Sequence, residues 1–124
     1  MKKKLLLVDD IREFRILLKI FLQKFYDIET AGNGQEALAL LHEGYTPDII
    51  VTDILMPEID GKAFVKQLKA SGAFNQIPVL ILSSIDHSTE KIQLLKAGAD
   101  DYLIKPFNPE ELKVRIEATL RNIA

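Results

Sequence analysis

The sequence predicts an α/β fold, a five-stranded parallel sheet with five helices distributed over both faces. Two observations predict it. Short apolar runs recur at residues 5–8, 49–51, 79–82 and 102–104, with a weaker one at 28–31. They are continuous rather than alternating, as in strands covered on both faces. Between them lie stretches with helical spacing, and strand–helix alternation implies parallel pairing with crossover helices. The 124 residues fit one domain with a single core.

The elements follow in order. The first strand is "LLLV" (5–8), and it runs straight into Asp9-Asp10. Phe14, Leu17, Leu18, Phe21, Leu22 and Phe25 then repeat at helical spacing and give one apolar stripe. The weak second strand precedes a helix that starts near Gly34 and is marked by Ala37, Leu38 and Leu41. The third strand ends in Thr52-Asp53, and Phe64 and Leu68 mark a helix after Gly61. The fourth strand ends in Ser83-Ser84. Ile92 and Leu95 mark the next helix, which ends before Gly98. The fifth strand ends in Lys105. The last helix has the clearest start: Asn108 as cap, Pro109 in the first turn and Glu111 three residues past the cap. Phe107 and Leu112 are spaced as a hydrophobic staple across that cap. The chain has no internal repeat, low-complexity segment or Pro/Gly/Ser-rich linker.

Composition excludes several classes. The content of 48% hydrophobic and 27% charged residues is ordinary for a soluble globular domain. A net charge of -2 supplies no global basic field for nucleic acid. The absence of cysteine removes disulfide frameworks and Cys-based metal or redox sites. Lys2-Lys3-Lys4 opens the chain like a signal peptide, but the apolar run before Asp9 is too short for one. No apolar run reaches membrane-spanning length. A cytoplasmic protein without membrane or direct nucleic-acid contact is expected.

In parallel α/β sheets, ligands bind beyond the carboxyl ends of the strands. Here that rim collects Asp9, Asp10, Asp53, Ser83 and Lys105. Four of them have a plain structural reading. Asp10 fits a helix cap, with Glu13 at capping-box spacing. Asp53 fits a turn, Lys105 a solvated lysine, and Ser83 alone says nothing. Their coincidence at successive strand ends is what carries weight. Carboxylates so close repel, and their ionised forms need compensation. Lys105 supplies one positive charge and a divalent cation two more. An all-oxygen donor set favours a hard ion such as Mg2+ over Zn2+, and Mg2+ readily shares phosphate oxygens. The chain contains no Gly-rich phosphate loop. The phosphoryl group is then more naturally carried on the protein, with Asp53 as candidate nucleophile.

With these residues the chain resembles the receiver domain of two-component response regulators, of the chemotaxis-regulator kind. The matching residues are Asp9-Asp10, the stretch "DILMPEIDG" from Asp53 to Gly61, Ser83, and Lys105-Pro106-Phe107. They span essentially the whole chain. The resemblance implies a flavodoxin-like sheet of order 2-1-3-4-5, with residues 1–124 as one receiver domain and no effector domain. It implies a signalling switch rather than an enzyme. Asp53 would be the phosphoacceptor, served by a histidine kinase or histidine phosphotransfer protein. Asp9, Asp10, Asp53 and the backbone carbonyl of Leu55 would hold Mg2+, with Mn2+ as substitute. Ser83 and Lys105 would bind the phosphoryl group, Ser83 and Tyr102 would act as the switch pair, and Lys105–Pro106 would be a cis peptide. The fourth helix, fifth strand and fifth helix would form the output surface, on a monomer or a phosphorylation-dependent dimer. The initial Met favours a standalone regulator or the N-terminal part of a longer one.

Two positions qualify the resemblance. Leu55 and Ile85 are apolar where the family flanks the path of hydrolytic water, so slow self-dephosphorylation is expected. Two other functions fit the same residues. One is a small Mg2+-dependent phosphohydrolase using Asp53, though Leu55 stands where such enzymes carry a second acid. The other is a phosphorylation-independent binding module, which leaves the acidic cluster without a purpose. His42 and His87 lack partner motifs and read as surface residues. Ser84 neighbours the site, but Ser83 has the better spacing to Lys105.

Overall fold

The computed structural model describes residues 2–54, 60–84 and 88–121. Five strands alternate with five helices: β1 (Lys4–Val8), α1 (Arg12–Leu22), β2 (Asp27–Ala31), α2 (Gly34–His42), β3 (Ile49–Asp53), α3 (Gly61–Ala70), β4 (Val79–Ser83), α4 (Ser88–Ala97), β5 (Asp101–Ile104) and α5 (Pro109–Arg121). All strand pairs are parallel, in the order β2-β1-β3-β4-β5. Among the described residues no helix is long and apolar enough to cross a membrane.

The continuous apolar runs are explained by two cores. Side chains alternate across a strand, so each central strand feeds both faces of the sheet. Leu5, Leu7, Ile49, Val51, Leu80, Leu82 and Leu103 point to one face, where Leu18 and Leu22 of α1 and Leu112 and Ile116 of α5 cover them. Leu6, Val8, Ile50, Val79, Ile81 and Tyr102 point to the other, under Ala37 and Leu41 of α2, Phe64, Val65 and Leu68 of α3, and Leu94 of α4. The central strands β3 and β4, and β1 from Leu5 on, are buried on both faces, so their polar ends are where chemistry meets solvent.

Side-chain caps open α2, α3 and α5. Asn33 accepts from the Glu36 amide at 2.8 Å and caps α2, and the Glu36 carboxylate accepts from the Gly32 amide, one residue before the cap, at 3.1 Å. Asp60 accepts from the Ala63 amide at 2.8 Å and opens α3. Asn108 accepts from the Glu110 amide at 2.9 Å and opens α5. Glu111 pairs with Arg115 at 3.6 Å. Phe107 packs against the core that contains Leu112.

Two helical faces differ from the sequence expectation. In α1 only Leu18 and Leu22 of the apolar stripe are buried, while Leu17 is 65% exposed and Phe25 lies beyond the helix, also exposed. In α4 the buried residue is Leu94, whereas Ile92 and Leu95 face outward. A helix that covers a sheet from one side buries a narrow stripe. Both helices carry more apolar residues than that stripe holds.

Candidate functional site

The rim at the carboxyl ends of β1, β3, β4 and β5 is built as follows. β1 delivers Asp9, fully buried, and Asp10, exposed. β3 delivers Asp53, 6% exposed, and β4 delivers Ser83, fully buried. β5 leads to Lys105, whose side chain is 18% exposed. Carboxylate oxygens of Asp9, Asp10 and Asp53 lie within 4.8 Å of one another. Lys105 Nζ donates to Asp9 Oδ2 at 3.3 Å and to Asp53 Oδ2 at 3.4 Å. The Lys105–Pro106 peptide bond is cis.

Asp10 does not cap α1. The N-cap position is Ile11, without a side-chain cap, and it is Asp9 Oδ1 that accepts the Ile11 amide at 2.9 Å. Asp10 is thereby left at the rim with its carboxylate beside the other two. Arg15 of α1 fastens the same turn by donating to the Asp9 carbonyl at 2.6 Å. Asp53 Oδ1 accepts the Ile54 amide at 2.7 Å, which leaves Oδ2 directed at Lys105. Thr52, buried beside it, donates its hydroxyl to the Asp53 carbonyl at 2.9 Å.

Gly61 closes the β3–α3 connection onto this strand end. Its amide donates to the Ile54 carbonyl at 2.7 Å. A Cβ there would stand 2.5 Å from Ile54 Cα and 2.8 Å from the Asp53 carbonyl oxygen, contacts that backbone cannot accept. Glycine is therefore required by close approach, not by an unusual φ.

Burial is the first cause that pushes the Asp9 carboxyl above its ordinary pKa. The Ile11 amide and the Lys105 charge pull it back, and the Asp53 charge raises it again. Desolvation thus outweighs the mutual repulsion of the carboxylates at this residue. The donor set fits a divalent cation. Among the described residues the acidic cluster offers three carboxylates, two of them on buried residues, with the Lys105 ammonium beside them. Leu55, Ile85 and His87 lie outside the described residues.

The remaining sequence candidates are placed as follows. Ser83 lies on β4, and its carbonyl accepts the Lys105 amide at 2.7 Å. Ser84 is exposed and borders an apolar groove of about 570 Å³ with Phe14, Leu17, Phe21, Lys105 and Phe107. Tyr102 is 3% exposed, with Lys91 Nζ 5.9 Å from its ring centroid. His42 is exposed and stacks edge-on against Phe74 at 5.1 Å. The chain alone did not disclose Phe14. Its ring centroid lies 4.3 Å from Lys105 Nζ. In the sequence Phe14 read only as part of the apolar stripe of the first helix.

The response regulator receiver domain family matches residues 5–117. The chain belongs to this family. It is a receiver domain with an acidic pocket of Asp9, Asp10 and Asp53, a signalling module rather than a catalytic enzyme. Over 122 residues the receiver is 41% identical to the alkaline phosphatase synthesis transcriptional regulatory protein PhoP of Bacillus subtilis, covering 98% of this chain and 50% of that protein. It is 38% identical over 121 residues to the probable transcriptional regulator ycf27 of Guillardia theta, covering 97% of this chain and 46% of that one. The receiver thus spans about half the length of these curated relatives. Among solved structures it is similar to a putative response regulator from Chloroflexus aurantiacus, with TM-score 0.91 and 33% identity over 98% of this chain and 100% of the other. It is also similar to the chemotaxis protein CheY4 of Vibrio cholerae, with TM-score 0.89 and 33% identity over 96% and 99%. A receiver domain implies partnership with a histidine kinase.

Proposed function

We propose that Asp53 is the phosphoacceptor of this receiver and takes a phosphoryl group from a phosphohistidine of a kinase or phosphotransfer protein. The observation that carries the reading is the convergence of Asp9, Asp10, Asp53 and Lys105 on one rim. The Asp53 oxygen that faces Lys105 attacks phosphorus, a P–O bond forms, the P–N bond breaks, and the imidazole departs with the electron pair. Asp9, Asp10 and Asp53 would hold Mg2+, with Mn2+ as a substitute. The ion supplies neutralisation of charge on the transferring oxygens. Asp9 fixes the β1 end by holding the Ile11 amide, while Lys105 is already within reach of Asp53. Lys105 and Ser83 bind the phosphoryl oxygens after transfer. They gain contacts only in that state, which is the differential interaction a switch needs. Tyr102 beside β4 would pair with Ser83 as the switch. Leu55, by its backbone carbonyl, would complete the ion's ligands.

The donor protein would cover the apolar groove beside Lys105, where Leu17 stands exposed. The surface of α4, β5 and α5 would carry the output, as a monomer or a phosphorylation-dependent dimer. Residues 1–124 form one receiver unit in this reading. Relatives of twice its length are named transcriptional regulators, and a receiver placed in such a protein would control DNA-directed output.

Incubation with acetyl phosphate and Mg2+ followed by intact-mass analysis tests the reading. One stable phosphoryl adduct that Asp53→Asn abolishes is the expected result. Continuous release of inorganic phosphate would indicate a phosphohydrolase, and no adduct would indicate a binding module.

A further inference from the structure

We propose that Phe14 is a positioning residue for Lys105: the face of its ring holds the ammonium over Asp53 in both states of the switch. The inference rests on Asp53 as phosphoacceptor and Lys105 as its phosphoryl-binding cation.

Among the described residues, three groups attract Lys105 Nζ. Two are the Asp9 and Asp53 carboxylates, at 3.3 and 3.4 Å. The third is the Phe14 ring, with its centroid 4.3 Å away, well inside cation–π range. The ring is itself fixed. Phe107 meets it edge to face, with centroids 6.1 Å apart and planes at 72°. Phe14 sits in the first turn of α1, four residues after Asp10, and Phe107 follows the cis Lys105–Pro106 peptide. Each ring is thus tied in sequence to one side of the site.

The three attractors differ in how they respond to phosphoryl transfer. The Asp53 oxygen facing Lys105 becomes the bridging oxygen of an acyl phosphate, and its charge moves outward onto the phosphoryl group. Asp9 shares its charge with any cation bound beside it. The ring quadrupole changes in neither case. A lysine has a long, flexible stem and a strongly hydrated head. Without the ring, the ammonium would lose orientation when the carboxylates' charge is redistributed. With it, the head stays at the rim and only a short reach separates it from the new oxygens. A leucine at position 14 would fill similar space without a negative face.

Phe14 also borders the groove in which a donor protein would sit, so the test uses a donor that needs no docking. Wild type, Phe14→Leu and Phe14→Tyr of the full chain are incubated with Mg2+ and acetyl phosphate, and the uptake rate is followed by intact mass across donor concentrations. The Lys105 ε-methylene proton shifts are read by NMR on the same proteins. In the wild type these protons are expected upfield, under the ring. Phe14→Leu is expected to lose that shift and to slow uptake by roughly three- to ten-fold. Phe14→Tyr is expected to restore both. A Leu variant with the wild-type rate overturns the inference, as does a Tyr variant as slow as the Leu one. If Phe14→Leu does not fold, an unshifted Lys105 methylene signal in the wild type overturns it directly. A wild type that takes up no phosphoryl group overturns the phosphoacceptor reading beneath it, an outcome distinct from an active wild type matched by its Leu variant.

Discussion

Asp9 and Asp10 are neighbours in sequence with opposite environments, one fully buried and one exposed. The adjacency of two acids after an apolar strand was legible in the chain. Which one enters the interior was not, because the spacing to Glu13 offered Asp10 as the cap, whereas the turn gives the Ile11 amide to Asp9. The raised pKa of Asp9 has a definite sign for stability. Its ordinary value is 3.8, and the folded chain holds its proton to higher pH than the unfolded chain does. Ionising Asp9 therefore costs stability, a cost absent below about pH 3.8 and complete once pH passes the raised folded value. Asp9→Asn is accordingly expected to raise the Tm of the metal-free protein at pH 7, measured in EDTA, while shrinking the gain from Mg2+. Tyr45 behaves in the same sense at the alkaline end. Burial, reinforced by Glu29, Asp27 and Asp48, pushes its pKa from 10.0 up to about 12. The unfolded chain loses that proton first, so stability falls as pH rises from about 10 towards 12. Tyr45→Phe should flatten that alkaline decline in thermal melts, and an unchanged slope would assign it to other groups such as Tyr26.

At the scale of elements, the strands were the most legible feature because continuous apolar runs have few other uses in a chain this short. Helices were legible in existence but not in orientation. Ile92 and Leu95 carried the α4 pattern in sequence, yet Leu94 is the residue that reaches the core. Hydrophobicity alone does not distinguish a buried stripe from an apolar outer face, and α1 shows the same ambiguity at Leu17 and Ile20. Caps were read unevenly. The Asn108 start was visible through Pro109, whereas Asp60 was absorbed into a motif and its capping of Ala63 went unseen. Asp60→Ala is expected to cost about 1 kcal/mol in chemical denaturation, the usual loss for an acidic N-cap. Since α3 leads directly from the loop after Asp53, the same variant should also slow phosphoryl uptake. Lost stability with unaltered uptake would show that the loop keeps its place without the cap.

At the scale of the whole molecule, four strands converge on one rim, so a ligand there touches much of the sheet at once. A cation that binds only the folded chain stabilises it by mass action, by about 2.7 kcal/mol at a hundredfold excess over its Kd. Mg2+ should therefore raise the Tm in proportion to the logarithm of its concentration, and EDTA should reverse the rise. Asp10→Ala should abolish both that rise and Mg2+-dependent phosphorylation with the fold retained, because Asp10 is exposed and supports no core contact. A Tm response that survived in Asp10→Ala would place the ion elsewhere. The two cores also bear on how β1 finds its place. Leu5, Leu6, Leu7 and Val8 are apolar towards both layers, so sliding the strand by one residue would leave greasy side chains on either side. Oil alone is an unmarked ruler here. The graduations are polar and stand at its two ends: the Lys4 amide on Asp48 at 2.7 Å, the Asp48 amide on the Lys4 carbonyl at 2.8 Å, and the Asp9 amide on the Ala31 carbonyl at 3.1 Å. The address of the acidic pair is thus written by hydrogen bonds at the strand's margins, and Asp48, at the end remote from the rim, helps decide which aspartate becomes the buried one.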